Sequence, residues 1–310
     1  MRLNKPPTTG EENSTLKIEK EVIVVTESYV EKVSRDLKTK NHVVLYCPQW
    51  LQSHIEWMFQ LAAELFSLDD AIKLKYEDKE SGHQTGYTPR GVEHAKDAAT
   101  NPGEDTILED DKEFWQVMEH GAQRNRGGAA NIIPTEVQSF DACSDALMSG
   151  LMELGMEFLT AVEVAWGLPD GAITSNIKGG NSVMRIIHSD ERECEHDQPI
   201  VSPHKDASTG TILISYGGTY VQDANGEYHE AKAERCQLTA FIGDAGESFV
   251  DYHFGKSLLA ATHKVLMKKG SHPDRYSIAL FMHFRPDVPI GDGRVAQDDL
   301  DQRKREIGVM

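Results

Sequence analysis

The texture of the chain changes once, at Gly179-Gly180, and that change limits the folds open to it. Upstream, Phe140, Leu147, Leu151, Leu154, Phe158, Leu159, Val162 and Trp166 recur at helical spacing between Pro134 and Gly167, and the run stops at Gly167-Leu168-Pro169. A broad apolar stripe closed by Gly and Pro reads as one helix facing a core. Downstream, apolar residues come in short bursts parted by turns: Val183 to Ile187, Thr211 to Tyr216, Tyr220 to Gln222, Gln237 to Ile242 and Ser277 to Phe284. Bursts of that length read as strands, and several at this spacing describe an all-β barrel or sandwich.

The remaining segments fall around these two halves. Residues 1–18 are polar and too poor in apolar groups to repay ordering, so they read as a flexible tail. Val22 to Val25 and Val43 to Tyr46 read as short strands flanking a helix from Glu27 to Leu37. From Pro48 to Lys75, Trp50, Ile55, Met58, Phe59, Leu61 and Leu65 keep helical spacing. The turn-forming stretch Ser81 to Gly91 and the polar residues to about Asp105 read as a long loop, of the kind that lines sites. The expected division is a helical region over 19–180, a β core over 181–290 and a C-terminal helix or tail over 291–310, with 19–290 as one compact unit.

Fifty acidic against 32 basic side chains give a formal net charge of −18, which opposes phosphate backbones and anionic lipid at long range. Neither nucleic acid nor a membrane is an expected partner, and no apolar run reaches the length of a membrane helix. The start lacks the apolar core of a signal peptide, and Cys47, Cys143, Cys194 and Cys236 show no metal or disulfide spacing. A cytoplasmic monomer or homodimer with reduced thiols, acting on a small molecule, is the expectation.

His-x-Asp or His-x-Glu occurs at His54/Glu56, His188/Asp190, His204/Asp206 and His272/Asp274, so the pattern alone says little. His54 and Glu56 fall on the helical run, where positions two apart face differently, and Pro273 makes His272 a turn residue. On a strand, residues two apart share a face, which leaves His188/Asp190 and His204/Asp206. Only the second has company: His263 follows in Thr262-His263-Lys264-Val265, and Arg275-Tyr276-Ser277 opens the next strand run. Two imidazoles and a carboxylate cap one face of an octahedral metal and leave the opposite face open, the arrangement of non-haem Fe(II) oxygenases. A guanidinium nearby supplies a planar fork for a carboxylate.

In these motifs, in order and spacing, the chain resembles the isopenicillin N synthase-like branch of the Fe(II)/2-oxoglutarate-dependent oxygenases. The resemblance extends to Gly86-Tyr87-Thr88-Pro89, Asp111 to Trp115, Trp166 to Pro169, Asn181 to Arg185 and Ile242-Gly243-Asp244, and covers roughly residues 20–288. It implies an α+β protein with a mainly β core, a double-stranded β-helix or jelly roll with N-terminal helices packed around it. It also implies Fe(II) on His204, Asp206 and His263, with Arg275 and Ser277 holding the far carboxylate of 2-oxoglutarate, and O2 as the oxidant.

The implied reaction oxidises an unactivated carbon while 2-oxoglutarate is decarboxylated to succinate. Hydroxylation, desaturation and ring closure, as in kainoids, all remain open, and an amino acid or amino-acid-derived natural product is the first expectation for the substrate. Asp206 argues against a halogenase, which keeps that position vacant for halide. Relatives commonly carry a tyrosine four residues after the arginine of the Met184-Arg185 strand, where this chain has Ser189. Ser189 is therefore the third expected cosubstrate contact, and it keeps open a 2-oxoglutarate-independent oxidase in which Arg275 binds substrate. A non-catalytic jelly-roll binding protein is the third reading. Arg185, Tyr87 and Arg90 are candidate substrate contacts, with an internal salt bridge for Arg185 and ordinary loop packing for the other two as the alternatives.

Overall fold

The computed structural model describes residues 26–93, 110–119 and 130–308. The expected tail over 1–18 and the expected strand from Val22 to Val25 lie outside them. Its helices are α1 (Glu27–Lys40), α2 (Gln49–Phe66), α3 (Asp70–Lys73), α4 (Phe140–Ala165), α5 (Thr174–Ile177), α6 (Asp244–Phe254) and α7 (Ala296–Glu306). The strands are β1 (Val43–Tyr46), β2 (Gly86–Thr88), β3 (Glu113–Met118), β4 (Val183–Ser189), β5 (Arg192–Cys194), β6 (Gln198–His204), β7 (Gly210–Ile214) and β8 (Thr219–Gln222). They continue with β9 (Tyr228–Glu230), β10 (Gln237–Ile242), β11 (His263–Met267), β12 (Gly270–His272), β13 (Arg275–Met282), β14 (Pro289–Gly291) and β15 (Arg294–Val295). Among the described residues no helix is long and apolar enough to cross a membrane.

A seven-stranded sheet in the order β1-β10-β7-β13-β4-β3-β2 faces a four-stranded sheet in the order β6-β11-β8-β9. Neighbouring strands that are far apart in sequence, such as β13 between β4 and β7, mark the double-stranded β-helix. Strand alternation then sorts the side chains. Met184 and Ile186 of β4, Ile212 and Ile214 of β7, and Ile278, Leu280 and Met282 of β13 point outward into the main core shared with the helices. Their neighbours Arg185, Ile187 and Ser189, Thr211 and Leu213, and Arg275, Ser277, Ala279 and Phe281 line an interior cavity.

The main core exists because α4 lies across the outer face of the large sheet. Its stripe, with Phe140, Leu147, Leu151, Phe158, Leu159 and Val162 fully buried, is the one the sequence displays. At roughly 25 cal/mol per Å² of apolar surface, each such side chain contributes about 1.5–3 kcal/mol to holding helix against sheet. α1 and α2 pack against α4, and α2 also meets β4 and β13.

Two expectations change, and the C-terminal alternative of helix or tail is decided. The loop expected over 81–105 contains β2, which pairs with β3 and closes one edge of the large sheet; a three-residue strand carries too short a pattern to be read from alternation. His272, expected in a turn before Pro273, ends the short strand β12, which pairs with β5 and stops where proline can no longer donate to a ladder. The polar C-terminal segment is helical, and Leu300, Arg303, Lys304 and Ile307, on or just after α7, form part of the cavity wall. These four cavity-side residues include only two apolar ones, so the packed face of α7 is hard to see in sequence.

Candidate metal centre

His204 ends β6 and His263 begins β11, and the two stand opposite each other in the register of the small sheet. Their rings lie with centroids 4.3 Å apart. Asp206 is not on the strand, contrary to the expectation that alternation aligns it with His204: β6 stops at His204, and Asp206 lies in the turn before β7. Contacts rather than strand geometry aim its carboxylate. Thr211 Oγ1 donates to Asp206 Oδ2 at 2.7 Å, and the Asp244 N–H donates to the Asp206 carbonyl at 2.7 Å. The second contact needs Gly243, because a Cβ there would sit 2.2 Å from the Ser208 carbonyl oxygen and 2.8 Å from that of Asp206. Glycine thus lets the end of β10 close onto the ligand turn.

The three donors converge. Asp206 Oδ1 lies 3.5 Å from His204 Nε2 and 3.7 Å from His263 Nε2. Each imidazole is turned by its other nitrogen, His204 Nδ1 against the Ser202 carbonyl at 2.8 Å and His263 Nδ1 against the Ala261 carbonyl at 3.1 Å. That is the tautomer that leaves both Nε2 atoms as lone-pair donors toward a metal. Burial, aided by the charge of His204, pushes the His263 imidazole down to about 4, so it is neutral at pH 7. Burial acts to raise the Asp206 carboxyl, but His263, His204 and Thr211 outweigh it and hold it well below the usual range. A neutral imidazole beside an ionised carboxylate, on a 2-His-1-carboxylate face, fits Fe(II).

Arg275 occupies the same cavity. Its Nη2 donates to Ser215 Oγ at 2.7 Å and Thr219 Oγ1 at 3.2 Å, Nη1 to Ser277 Oγ at 3.3 Å and Nε to the Gly217 carbonyl at 3.3 Å. All these partners are neutral, and no carboxylate among the described residues pairs with it. Burial lowers its guanidinium to about 10, still protonated at neutral pH. The Ser215-Tyr216-Gly217-Gly218 turn passes beside it, with Gly218 at φ +76°, a conformation that favours glycine. A buried cation held only by dipoles is a site for an anion. Ser189 faces Arg275 across the β4–β13 register, buried in the cavity wall, and its hydroxyl bonds to no described residue.

The other sequence candidates divide. Arg185 lines the cavity and makes the internal salt bridge, with Nη1 2.9 Å from Glu93 Oε2 and Nε donating to Gln116 Oε1 at 2.8 Å. Lys112 joins it, 3.1 Å from Glu93 Oε2 and 2.6 Å from Asp110 Oδ2. Burial works to raise the Glu93 carboxyl, but Arg185 and Lys112 hold it down at about 2. Lys112 lies in the Asp111 to Trp115 stretch of the resemblance, whereas Glu93 and Asp110 carry no motif, and only their chemical type could have drawn attention to them. Tyr87 and Arg90 do not reach the cavity wall. Tyr87 donates to Glu113 Oε2 at 2.5 Å, and Arg90 Nη2 bridges Glu113 at 3.1 Å and Asp190 at 2.8 Å.

His188, Glu113 and Asp190 form a second cluster of metal-ligand types, but Glu113 is already saturated. Lys73 and Tyr87 fill its Oε2, and Arg90 and His188 Nδ1 fill Oε1. His188 also stacks on Phe66 and on Tyr276, at 5.2 and 4.8 Å. This cluster ties β3 to β4 and to the helices. His54 and Glu56 are occupied on α2, with Trp50 and with Gln52 and Arg235, and His272 meets the Lys268 carbonyl. Lys205, between the two ligands in sequence, pairs with Glu247 at 2.7 Å.

No family model matches the chain. Among curated proteins it is similar to the 2-oxoglutarate-dependent dioxygenase htyE of Aspergillus rugulosus, 22% identical over 243 residues that make up 73% of each chain. Among solved structures, a full-length Neurospora crassa protein in complex with alpha-KG superposes with a TM-score of 0.75 at 20% identity, covering 90% of both chains. The same protein in complex with alpha-KG and thymine superposes at 0.71, with 19% identity over 90% of this chain and 92% of that one. A 2OG-Fe(II) oxygenase family protein from Caulobacter crescentus superposes at 0.74, with 25% identity over 90% of this chain and 94% of that one. In that fold, in a convergent His204-Asp206-His263 face and in Arg275 within the same cavity, the chain is similar to the non-haem Fe(II)/2-oxoglutarate-dependent oxygenases.

Proposed function

We propose that the protein oxidises an unactivated carbon of a small molecule by hydroxylation, desaturation or ring closure, with conversion of 2-oxoglutarate to succinate and CO2. The observation that carries this reading is Arg275, a partly buried guanidinium without an acidic partner among the described residues, in the cavity that holds the ligand triad. Bound Fe(II), with 2-oxoglutarate and O2, supplies the oxidising chemistry. The chain supplies positions and charge. His204, Asp206 and His263 hold the metal by one face, with Ser202, Ala261 and Thr211 fixing the orientation of each ligand. Arg275 forks the far carboxylate, and Ser277 and Thr219 stand ready to share it.

Ser189 stands opposite Arg275 in place of a longer phenol, and its hydroxyl is the third proposed contact. Arg185 lies on the same strand face, two residues nearer the strand start than Ile187, and belongs to the substrate end. A cavity of about 190 Å³ suits a small substrate, of which an amino-acid derivative is one class. That the Neurospora crassa protein is solved with thymine supports the same scale of ligand. The test is O2 uptake by protein reconstituted with Fe(II), with succinate measured against 2-oxoglutarate consumed. Slow substrate-free turnover at a one-to-one ratio is expected, and absence of succinate under all conditions would defeat the reading.

A further inference from the structure

At the substrate end of the cavity, four ionised side chains alternate in sign. Asp110, Lys112, Glu93 and Arg185 are linked at 2.6, 3.1 and 2.9 Å, so two carboxylates and two cations cancel. All four line the cavity. The chain of ion pairs ends at Arg185, whose position is doubly fixed: Nε on Gln116 Oε1, and the guanidinium laid over the Phe114 ring, 3.8 Å from its centroid. Gln116 is itself held by the His83 carbonyl at 3.1 Å. Such a cluster is rigid and desolvated, and its unused valences decide what can bind.

Those valences are specific. Nη2 of Arg185 donates to no described residue, and Glu93 Oε1 accepts from none, while Glu93 Oε2 and Arg185 Nη1 are spent on each other. One salt bridge thus keeps a donor on one partner and an acceptor on the other unused by described residues. Asp110 Oδ1 is also buried without a partner among the described residues, so the cluster has acceptors in excess. A hydrocarbon ligand would leave these groups dry and unmatched. A carboxylate would set a third anion against two cations already neutralised. A zwitterion would need two more full charges stripped of water for bonds to groups that are already paired.

A neutral cis-amide matches without those costs. We propose that Arg185 and Glu93 read the edge of a lactam, imide or oxo-pyrimidine ring, its carbonyl accepting from Arg185 and the adjacent N–H donating to Glu93. Phe281, in the same wall and 5.4 Å from the guanidinium, offers that ring an apolar surface. The proposal names the substrate class for the oxygenase reading above and rests on it.

The experiment is calorimetric titration, under anaerobic conditions, of protein loaded with Fe(II) and 2-oxoglutarate. The probes are thymine, 1,3-dimethylthymine with both N–H groups blocked, and L-proline as a zwitterion. Thymine is expected to bind roughly ten- to a hundred-fold tighter than its dimethyl form, the range for a buried hydrogen bond to a charged acceptor. It is also expected to bind tighter than L-proline. Arg185→Leu should lower thymine affinity by a similar factor while 2-oxoglutarate still binds, and the wild-type comparison decides the matter if that variant does not fold. Loading with 2-oxoglutarate is measured first, so its failure strikes the oxygenase reading. If loading succeeds, thymine binding no tighter than dimethylthymine, or weaker than L-proline, overturns the cis-amide assignment.

Discussion

Replacing Arg275 with methionine separates cosubstrate binding from folding in a way few active-site changes allow. In the free protein the guanidinium is partly buried, carries its charge and hydrogen-bonds only to Ser215, Thr219, Ser277 and the Gly217 carbonyl among the described residues. Its desolvation is therefore uncompensated by an anion until 2-oxoglutarate arrives. Met fills similar volume without that cost. The hydroxyls it leaves are near one another, Thr219 Oγ1 to Ser215 Oγ at 3.4 Å, and border a cavity that admits water. Arg275→Met should thus leave the free protein as stable as the wild type or about 1 kcal/mol more stable.

Binding responds oppositely. Removing one partner of a buried charge pair costs about 2–5 kcal/mol, so affinity for 2-oxoglutarate should fall roughly thirty- to several-thousand-fold. In thermal unfolding with Fe(II) under anaerobic conditions, 2-oxoglutarate at a hundred times its Kd should stabilise the wild type by about 2.7 kcal/mol. The same concentration should stabilise the variant by about 0.9 kcal/mol at most. Undiminished stabilisation of Arg275→Met would refute the assignment of this residue. So would a loss of about 3 kcal/mol or more in the free variant, the size expected when a buried pair is broken, which would make Arg275 a structural pillar.

Three further outcomes follow from the geometry. Gly243→Ala forces a Cβ against the Ser208 and Asp206 carbonyls, and should weaken Fe(II) binding about ten- to a hundred-fold with the fold retained, as read by metal titration and circular dichroism. Thr211→Val removes the donor to Asp206 Oδ2 and should cost roughly ten-fold in metal affinity, with Thr211→Ser recovering most of it. Glu113 has its carboxyl lowered to about 2: burial opposes this, and the hydrogen bonds from His188, Lys73 and Tyr87 prevail. A depressed carboxyl stabilises the fold above its unfolded pKa and loses that contribution as pH falls from about 4.5 toward 2. Glu113→Gln should therefore destabilise by about 3 kcal/mol at pH 7, with a shrinking difference from wild type in acid, measured by urea unfolding.

How much of this is legible in sequence depends on whether a feature is periodic or paired. The α4 stripe and the strand bursts after Gly180 announce themselves because burial on one face imposes a period. The metal triad and Arg275 are legible because the chemistry fixes residue types along an order of strands. Strand alternation, however, is not what aims Asp206: the strand ends at His204, and the carboxylate is directed by Thr211 and the Asp244 amide, neither of which the His-x-Asp spacing reveals. Arg185 is legible as a strand residue facing inward, while its partner Glu93 is not, because a turn-rich segment carries no period to say which side chain turns inward. Tyr87 and Arg90, two residues of the right chemistry, are drawn off by Glu113, a carboxylate whose burial is invisible until β3 pairs with β4.

Apart from the exposed turn of Asp223, Glu227 and His229, two clusters of described residues offer imidazole and carboxylate together, and the metal is assigned to one of them. Anaerobic titration with Fe(II) and 2-oxoglutarate, following the weak visible charge-transfer band of the ternary complex, compares them directly in wild type, Asp206→Ala and His188→Gln. The band is expected at one Fe(II) per chain in wild type and His188→Gln and absent from Asp206→Ala. A band that persists in Asp206→Ala and disappears from folded His188→Gln would contradict the central claim.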